Sequence, residues 1–531
     1  MRYLFIASIL MLGHISWSQN KMLSVAESSD FTRTANYDEV IQAVEYLDNG
    51  SNLIRVENIA TTVEGRKVPM MIVANPMPKS IADLKNDERI VVYIQANIHA
   101  GEVEGKEAAL MLARDLISDA KKDYLKDVVV LICPNLNADG NEKMSTKNRT
   151  HQNGPASVGI RYNGQNLDLN RDALKLESPE MQGVIKNILN KWDPAITLDC
   201  HTTNGSYHEE PITFTWIMNP NGDRQLINYM RDKMMPWVHN QMSDEYNTLN
   251  CFYGEFIDRL NPEKGWISYA AEPRYMVNYI GVRNRLAILN ENYVYADYKS
   301  RVVGCYNLMW SVLDYAADNK NEIKTLLAQV DEKTINRSTQ ALPADSFAIK
   351  YEGKPTPEPV TILAFEAEYT HTENGWKRYR KTDRKIKVTV PYIADYFAEE
   401  SISFPQAYVF STNIDEVKVL LDLHGITYSF LEEEQSFEVE EFVFSELSPS
   451  KRLNQGHYTN VIEGAFESKT KTFKKGSIYV PMNQRLANLA AYLLEAQSDD
   501  SLLKWNFFDR YIVAQWGTRY YPYPVYRITK L

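Results

Sequence analysis

The run Ile90-Val-Val-Tyr-Ile-Gln-Ala-Asn-Ile98 constrains this chain more than any other feature. It is nearly all apolar, rich in β-branched residues and far too short to span a bilayer as a helix, so it reads as a strand buried on both faces. Such strands belong to sheets covered by helices on each side. The residues that follow supply one cover: Ala108, Leu112, Ala113, Leu116 and Ile117 recur at helical spacing within about 102–119, an apolar stripe fit to lie on a sheet. Further strands are expected over 68–73, 127–133 and 195–200, with another helix over 180–191. This alternation predicts an α/β fold with a mixed, mostly parallel sheet flanked by helices. In such sheets ligands bind outside the carboxyl ends of the strands.

Two of these strands are followed at once by histidine. His99 closes the first and stands three residues before Glu102; His201 closes Ala195-Ile-Thr-Leu-Asp-Cys200. An imidazole leaving a strand and a carboxylate entering the next helix can reach one ion from two backbone directions, and zinc accepts both ligand types. A lone H-x-x-E is common by chance. The distant third donor changes its meaning, because a catalytic zinc takes three protein ligands and leaves the fourth position to water.

These residues resemble the zinc metallocarboxypeptidases, the funnelins, and the likeness runs over about 30–320. Asn137-Ala-Asp-Gly140, Lys147-Asn-Arg149 and Leu167-Asp-Leu-Asn-Arg-Asp172 stand between the two histidine segments in the order that family uses. Arg285-Leu-Ala-Ile-Leu-Asn-Glu291 follows, where the family keeps a catalytic glutamate. The resemblance implies one zinc per chain on His99, Glu102 and His201, with Glu291 as the base that takes the proton of the attacking water. It implies that Arg149 donates hydrogen bonds to the developing oxyanion, and that Asn170 and Arg171 clamp the free C-terminal carboxylate of a peptide substrate. Tyr269 is the expected aromatic cap, ahead of Tyr275 and Tyr279 on the same connection. Glu272 is the rival base. The pocket base falls near Met276, so a strict preference for Lys or Arg side chains is not expected; Arg274 beside it raises the idea of acidic ones.

A related zinc hydrolase cutting peptidoglycan stem peptides or N-acyl amino acids uses the same chemistry and stays open, as does a binding protein on an inactive scaffold. No G-x-S-x-G or glycine-rich phosphate cradle is present. The charge balance, 58 Lys and Arg against 69 Asp and Glu, gives a net of −11 without a basic tract, which speaks against nucleic acid and anionic membranes as partners.

Met1-Arg2, an apolar stretch to Trp17 and the small-x-small Ser16-Trp-Ser18 read as an export signal occupying 1–18, so a periplasmic or extracellular location is expected, with no membrane insertion of the mature chain. At 531 residues two domains are expected: a catalytic one over 19–335 and, past a polar, proline-containing boundary, a strand-rich one over 345–531 of unassigned role. Oligomeric state is not legible. Cys133, Cys200, Cys251 and Cys305 fit neither a metal knuckle nor a disulfide framework. Cys200, adjacent to His201 on a strand, faces the opposite way and is expected in the core. His371, His424 and His457 lack ligand-spaced neighbours. The tail 520–526, rich in tyrosine, is expected to be a packed strand.

Overall fold

A computed structural model describes residues 22–79, 83–84, 87–118, 120–269, 271–337, 346–371, 375–410, 414–512 and 520–529. The proposed export signal, the end of the first helix at Asp119 and the boundary segment 338–345 lie outside the described residues.

The strands expected from the apolar runs assemble, with three that the sequence did not signal, over 54–61, 212–216 and 250–252, into one eight-stranded sheet. In chain order they are β1 (Ile54–Thr61), β2 (Lys67–Val73), β3 (Ile90–Ala96), β4 (Val128–Cys133), β5 (Ile196–Thr203), β6 (Ile212–Trp216), β7 (Asn250–Phe252) and, after the two-residue strands β8 (Glu255–Phe256) and β9 (Trp266–Ile267), β10 (Leu286–Tyr293). Across the sheet the order is β1-β2-β4-β3-β5-β10-β6-β7. The central strands β4, β3, β5 and β10 run parallel, while β1, β2 and β6 pair antiparallel, so the sheet is mixed with a parallel middle. Every residue of β4 and β5 is buried. The helices Glu104–Leu116 and Tyr298–Asp318 pack against each other and against this middle, and nearly all of the former is buried.

β5 and β10 each extend two residues beyond the functional side chain that the sequence placed at the strand end. Glu291 pairs with His201, and the ladder continues through Asn292–Thr202 and Tyr293–Thr203. Polar identity hid this extension, because Asn290 and Asn292 occupy buried positions where the Asn292 amide donates to the His201 carbonyl at 2.8 Å. The helix expected over 180–191 is an α-turn, Pro179–Gly183, followed by a π-turn, Val184–Leu189.

Beyond 345 the chain is rich in strands: β11 (Ser346–Pro355), β12 (Val360–His371), β13 (Lys377–Val390), β14 (Tyr392–Ser403), β15 (Ala407–Phe410), β16 (Ser429–Phe430), β17 (Gln435–Pro449), β18 (Asn460–Phe473), β19 (Ile478–Pro481) and β20 (Val525–Ile528). β11 and β14 complete a four-stranded sheet with β9 and β8, β12 and β13 form a hairpin, and the last six strands make an antiparallel sheet. The tyrosine-rich tail enters that sheet only from Val525; Tyr520 and Tyr521 stay exposed. One continuous apolar core joins both parts of the molecule. Charged and polar groups cross the same seam: Arg485 reaches Asp193 at 3.1 Å, and both Arg224 and Arg231 meet Asp395.

Candidate active site and metal centre

β3 stops at Ala96 because Asn97 adopts a left-handed conformation with φ of 63°, a state asparagine tolerates better than most residues. Its amide donates to Asn135 at 2.7 Å, and the chain turns so that His99 faces the end of β5. Gly105 lets the following helix approach that strand closely; a Cβ there would stand 2.4 Å from the Cβ of Cys200. Cys200 therefore packs between helix and sheet, while His201 points the other way. All four cysteines are buried and unpaired.

His99, Glu102 and His201 converge. The Nδ1 atoms of the two imidazoles are 3.2 Å apart, and the Glu102 carboxylate lies 3.1 Å from the first and 3.0 Å from the second. On the outer side each ring is held by a carboxylate: His99 Nε2 donates to Asp168 at 2.9 Å and His201 Nε2 to Asp199 at 2.9 Å. These bonds select the tautomer whose Nδ1 lone pair points inward. Two lone pairs and a carboxylate aimed at one point repel one another unless a cation sits among them, and an N, N, O donor set with carboxylate-backed imidazoles suits zinc. The residues fit the metal.

The electrostatics show a site that draws in positive charge, a proton or a metal ion. Burial disfavours a charged imidazole at His201, but Asp199 and Glu102 outweigh it and raise its pKa well above the ordinary value. Burial likewise opposes ionisation of Glu102; the positive partners His99 and Arg149 prevail and hold it well below the usual carboxylate range. Glu291 behaves in the opposite way. Burial, with the charge of Glu102 added, pushes it up to about 8 against the pull of His201 and the two arginines Arg161 and Arg149.

A cavity of about 420 Å³ opens over the triad. Arg149, Asn170, Arg171, Tyr269 and Glu291 all line it, so the structure brings together every site residue expected from the sequence. Arg149 has a left-handed backbone, φ 47°, and donates to Glu102 at 2.8 Å and to the Thr202 carbonyl at 2.9 Å. Asn170 accepts from the Met276 amide at 2.9 Å, and its own amide nitrogen lies 3.5 Å from His201 Nε2. The Arg171 guanidinium lies over the Tyr275 ring at 4.3 Å. Tyr269 meets Tyr275 edge-on and accepts from the Asn278 amide at 3.1 Å.

Other residues fall outside the cavity. Glu272, the rival base, lies 3.7 Å from Arg274; Arg274 is engaged by Asp500 at 3.1 Å, and Met276 is fully buried. The idea that Arg274 favours acidic side chains therefore finds no geometric support. Sequence reasoning passed over Asp168 and Asp199, the two outer carboxylates, although the first sits inside a quoted motif and the second lies two residues before His201, on the same face of the strand. Arg161, which donates to Asp168 at 2.7 Å, carried no signal because a loop places it.

Residues 40–216 match the family model for zinc carboxypeptidase, peptidase M14. Carboxypeptidase 2 of Trichophyton tonsurans is 20% identical over 485 residues, 88% of this chain and 81% of that protein. Its namesake in Trichophyton rubrum is 21% identical over 486 residues, with the same coverage. Among solved structures, a metallo-carboxypeptidase from Burkholderia cenocepacia aligns with 52% of this chain and 68% of its own at 16% identity and a TM-score of 0.39. Both histidines and the glutamate of the metal triad lie inside the segment that matches the zinc carboxypeptidase family model, and the chain is a zinc metallopeptidase.

Proposed function

We propose that this enzyme is an exported carboxypeptidase that removes the last residue of peptides with a free C-terminal carboxylate. One observation carries the reading: the metal triad, a buried glutamate and an arginine–asparagine pair share a single cavity. When bound, zinc supplies Lewis-acid polarisation of the scissile carbonyl and lowers the pKa of water.

The protein's own groups do the rest. Glu291 takes a proton from the attacking water and returns it to the leaving amine, a role suited to a carboxylate whose burial brings its pKa close to neutrality. Arg149 donates to the oxyanion forming on the carbonyl. Arg171, with the Asn170 amide, receives the terminal carboxylate, for which a planar guanidinium offers paired donors. Tyr269 closes the site over the substrate from the aromatic wall that it forms with Tyr253 and Tyr275. Export rests on the signal-like residues 1–18; among the described residues no helix is long and apolar enough to cross a membrane.

The test is a matched pair of peptides, one ending in a free acid and one amidated. The free acid should release its last residue and the amide should be a poor substrate. Arg171→Ala should shrink that preference by about 2–3 kcal/mol in kcat/KM, the scale of hydrogen bonds to a charged group. Equal cleavage of both peptides by the wild type would point to an endopeptidase or amidase instead.

A further inference from the structure

A second group of donors lies across β10 from the catalytic triad. His208 and Glu210 sit on the segment between β5 and β6, and Cys251 lies in β7, paired with Thr213 of β6. All three are buried, at 2%, 3% and 1% exposure, and their ligand atoms lie within 4.8 Å of one another. Neither ring nitrogen of His208 finds a hydrogen-bond partner among the described residues, nor does Glu210 Oε2. The other Glu210 oxygen is committed, accepting from the Leu363 amide at 2.7 Å.

A buried imidazole without a partner on either nitrogen is costly, on the order of 1–3 kcal/mol for each unsatisfied polar group. This one is also held firmly. Its ring stacks on Tyr293 at 3.8 Å and meets Trp266 edge-on at 6.1 Å, which fixes the direction in which its nitrogens point. Nδ1 stands 3.5 Å from Glu210 Oε2, too long for a good hydrogen bond but close to the spacing of about 3.3–3.8 Å between ligands of a tetrahedral zinc.

We infer that His208, Glu210 and Cys251 form a second metal centre, separate from the catalytic one, that takes a zinc-class divalent cation through one nitrogen, one oxygen and one sulfur. The Cys251 thiol gives its proton to solvent as the metal–sulfur bond forms, so a divalent ion, one thiolate and one carboxylate leave the buried site neutral. In the metal-free protein burial, then the Glu210 charge, keeps that thiol protonated. Access is from a cavity of about 660 Å³ that His208 lines with Tyr207, Tyr293 and Phe365.

The centre would act as a clasp. The hairpin of β12 and β13 lies over the same segment, with the Glu209 amide donating to the Leu363 carbonyl at 2.7 Å and the Phe365 amide to the Tyr207 carbonyl at 2.9 Å. Glu210 links metal and hairpin through its two oxygens. Because β6 is the direct neighbour of β10, the clasp also braces the strand that carries Glu291.

Metal analysis of the purified full chain, after equilibration with zinc and removal of loose metal, should find two zinc ions per chain in the wild type and one in Cys251→Ser and His208→Gln. Cobalt(II) replacement gives a readout specific to this site, since the catalytic ligands contain no sulfur. A thiolate-to-cobalt charge-transfer band should appear in the wild type, persist in His99→Ala and vanish in Cys251→Ser. A wild-type count of one, or a cobalt form without that band, overturns the assignment even if neither variant folds. The band does not depend on peptide hydrolysis, so its loss and a failure of the carboxypeptidase reading are separate results.

Discussion

The histidines of the two clusters are equally buried, each 2% exposed, yet their ring nitrogens are treated differently. At the catalytic triad both outer nitrogens rest on carboxylates, Asp168 and Asp199, and the inner pair faces a cavity that also holds Glu291 and three arginines. At the second cluster the ring of His208 packs between Tyr293 and Trp266, and among the described residues neither of its nitrogens has a hydrogen-bond partner. The contrast separates what a site needs to bind an ion from what it needs to use one. Outer carboxylates raise ligand basicity and fix ring orientation, and an adjacent proton acceptor turns a held ion into a catalyst.

The largest effect should come from removing a ligand of the first cluster. His99→Ala or His201→Ala should lose the catalytic zinc and, with it, peptide hydrolysis down to background, read by metal content and turnover side by side; full activity in either variant would remove the triad from the chemistry. Next is Glu291→Gln, which keeps size and hydrogen bonding but not the proton acceptor. Zinc content should be unchanged while kcat falls about 10²–10⁴-fold, the usual range for a general base.

The outer carboxylates provide a finer test. Asp199→Asn should weaken zinc binding at the triad by about 10–100-fold, measured by competition with a chelator, while leaving the cobalt–thiolate signal of the second cluster in place. Unchanged affinity would mean that the carboxylate behind His201 does no more than pack.

A third kind of buried histidine sharpens the comparison. His424 has neutral partners on both sides, accepting from the Tyr279 hydroxyl at 2.7 Å and donating to the Leu174 carbonyl at 2.9 Å. Burial, with Arg283 adding to it, pushes its pKa down to about 3. Folded protein therefore keeps this ring neutral while the unfolded chain binds a proton near pH 6.5, so stability is lost as pH falls below about 6.5. The loss should reach about 2 kcal/mol by pH 5. Urea unfolding of wild type and His424→Gln across pH 5–8 isolates it: the variant should be less stable at pH 8 but show a shallower loss on acidification. Parallel curves would show that the ring does not carry the effect.

Much of the catalytic architecture was legible because its signals are local. Apolar runs such as 90–98 and 128–133 need no tertiary information to be read as buried strands, since period and composition announce them. His99, Glu102, His201 and Glu291 stand at or beside the ends of such runs, which is where an α/β sheet places its ligands. Asp199 was open to the same logic through the two-residue period of a strand. Arg161 and the group of His208, Glu210 and Cys251 were not, because loops and non-adjacent strands bring them together. Cys251 is 41 residues from Glu210 in the chain.

By itself, then, the sequence determined the parallel middle of the sheet and the residue types that meet towards the carboxyl ends of its strands, because hydrophobic period and donor chemistry are carried in consecutive residues. Only the tertiary structure decided which nitrogen of each histidine faces the ion, how far β5 and β10 run past their functional side chains, and that the strands beyond 345 share one core with the catalytic sheet. Those outcomes depend on burial and on partners distant in the chain. An imidazole's tautomer or a glutamate's pKa is set by what surrounds it, not by what precedes it.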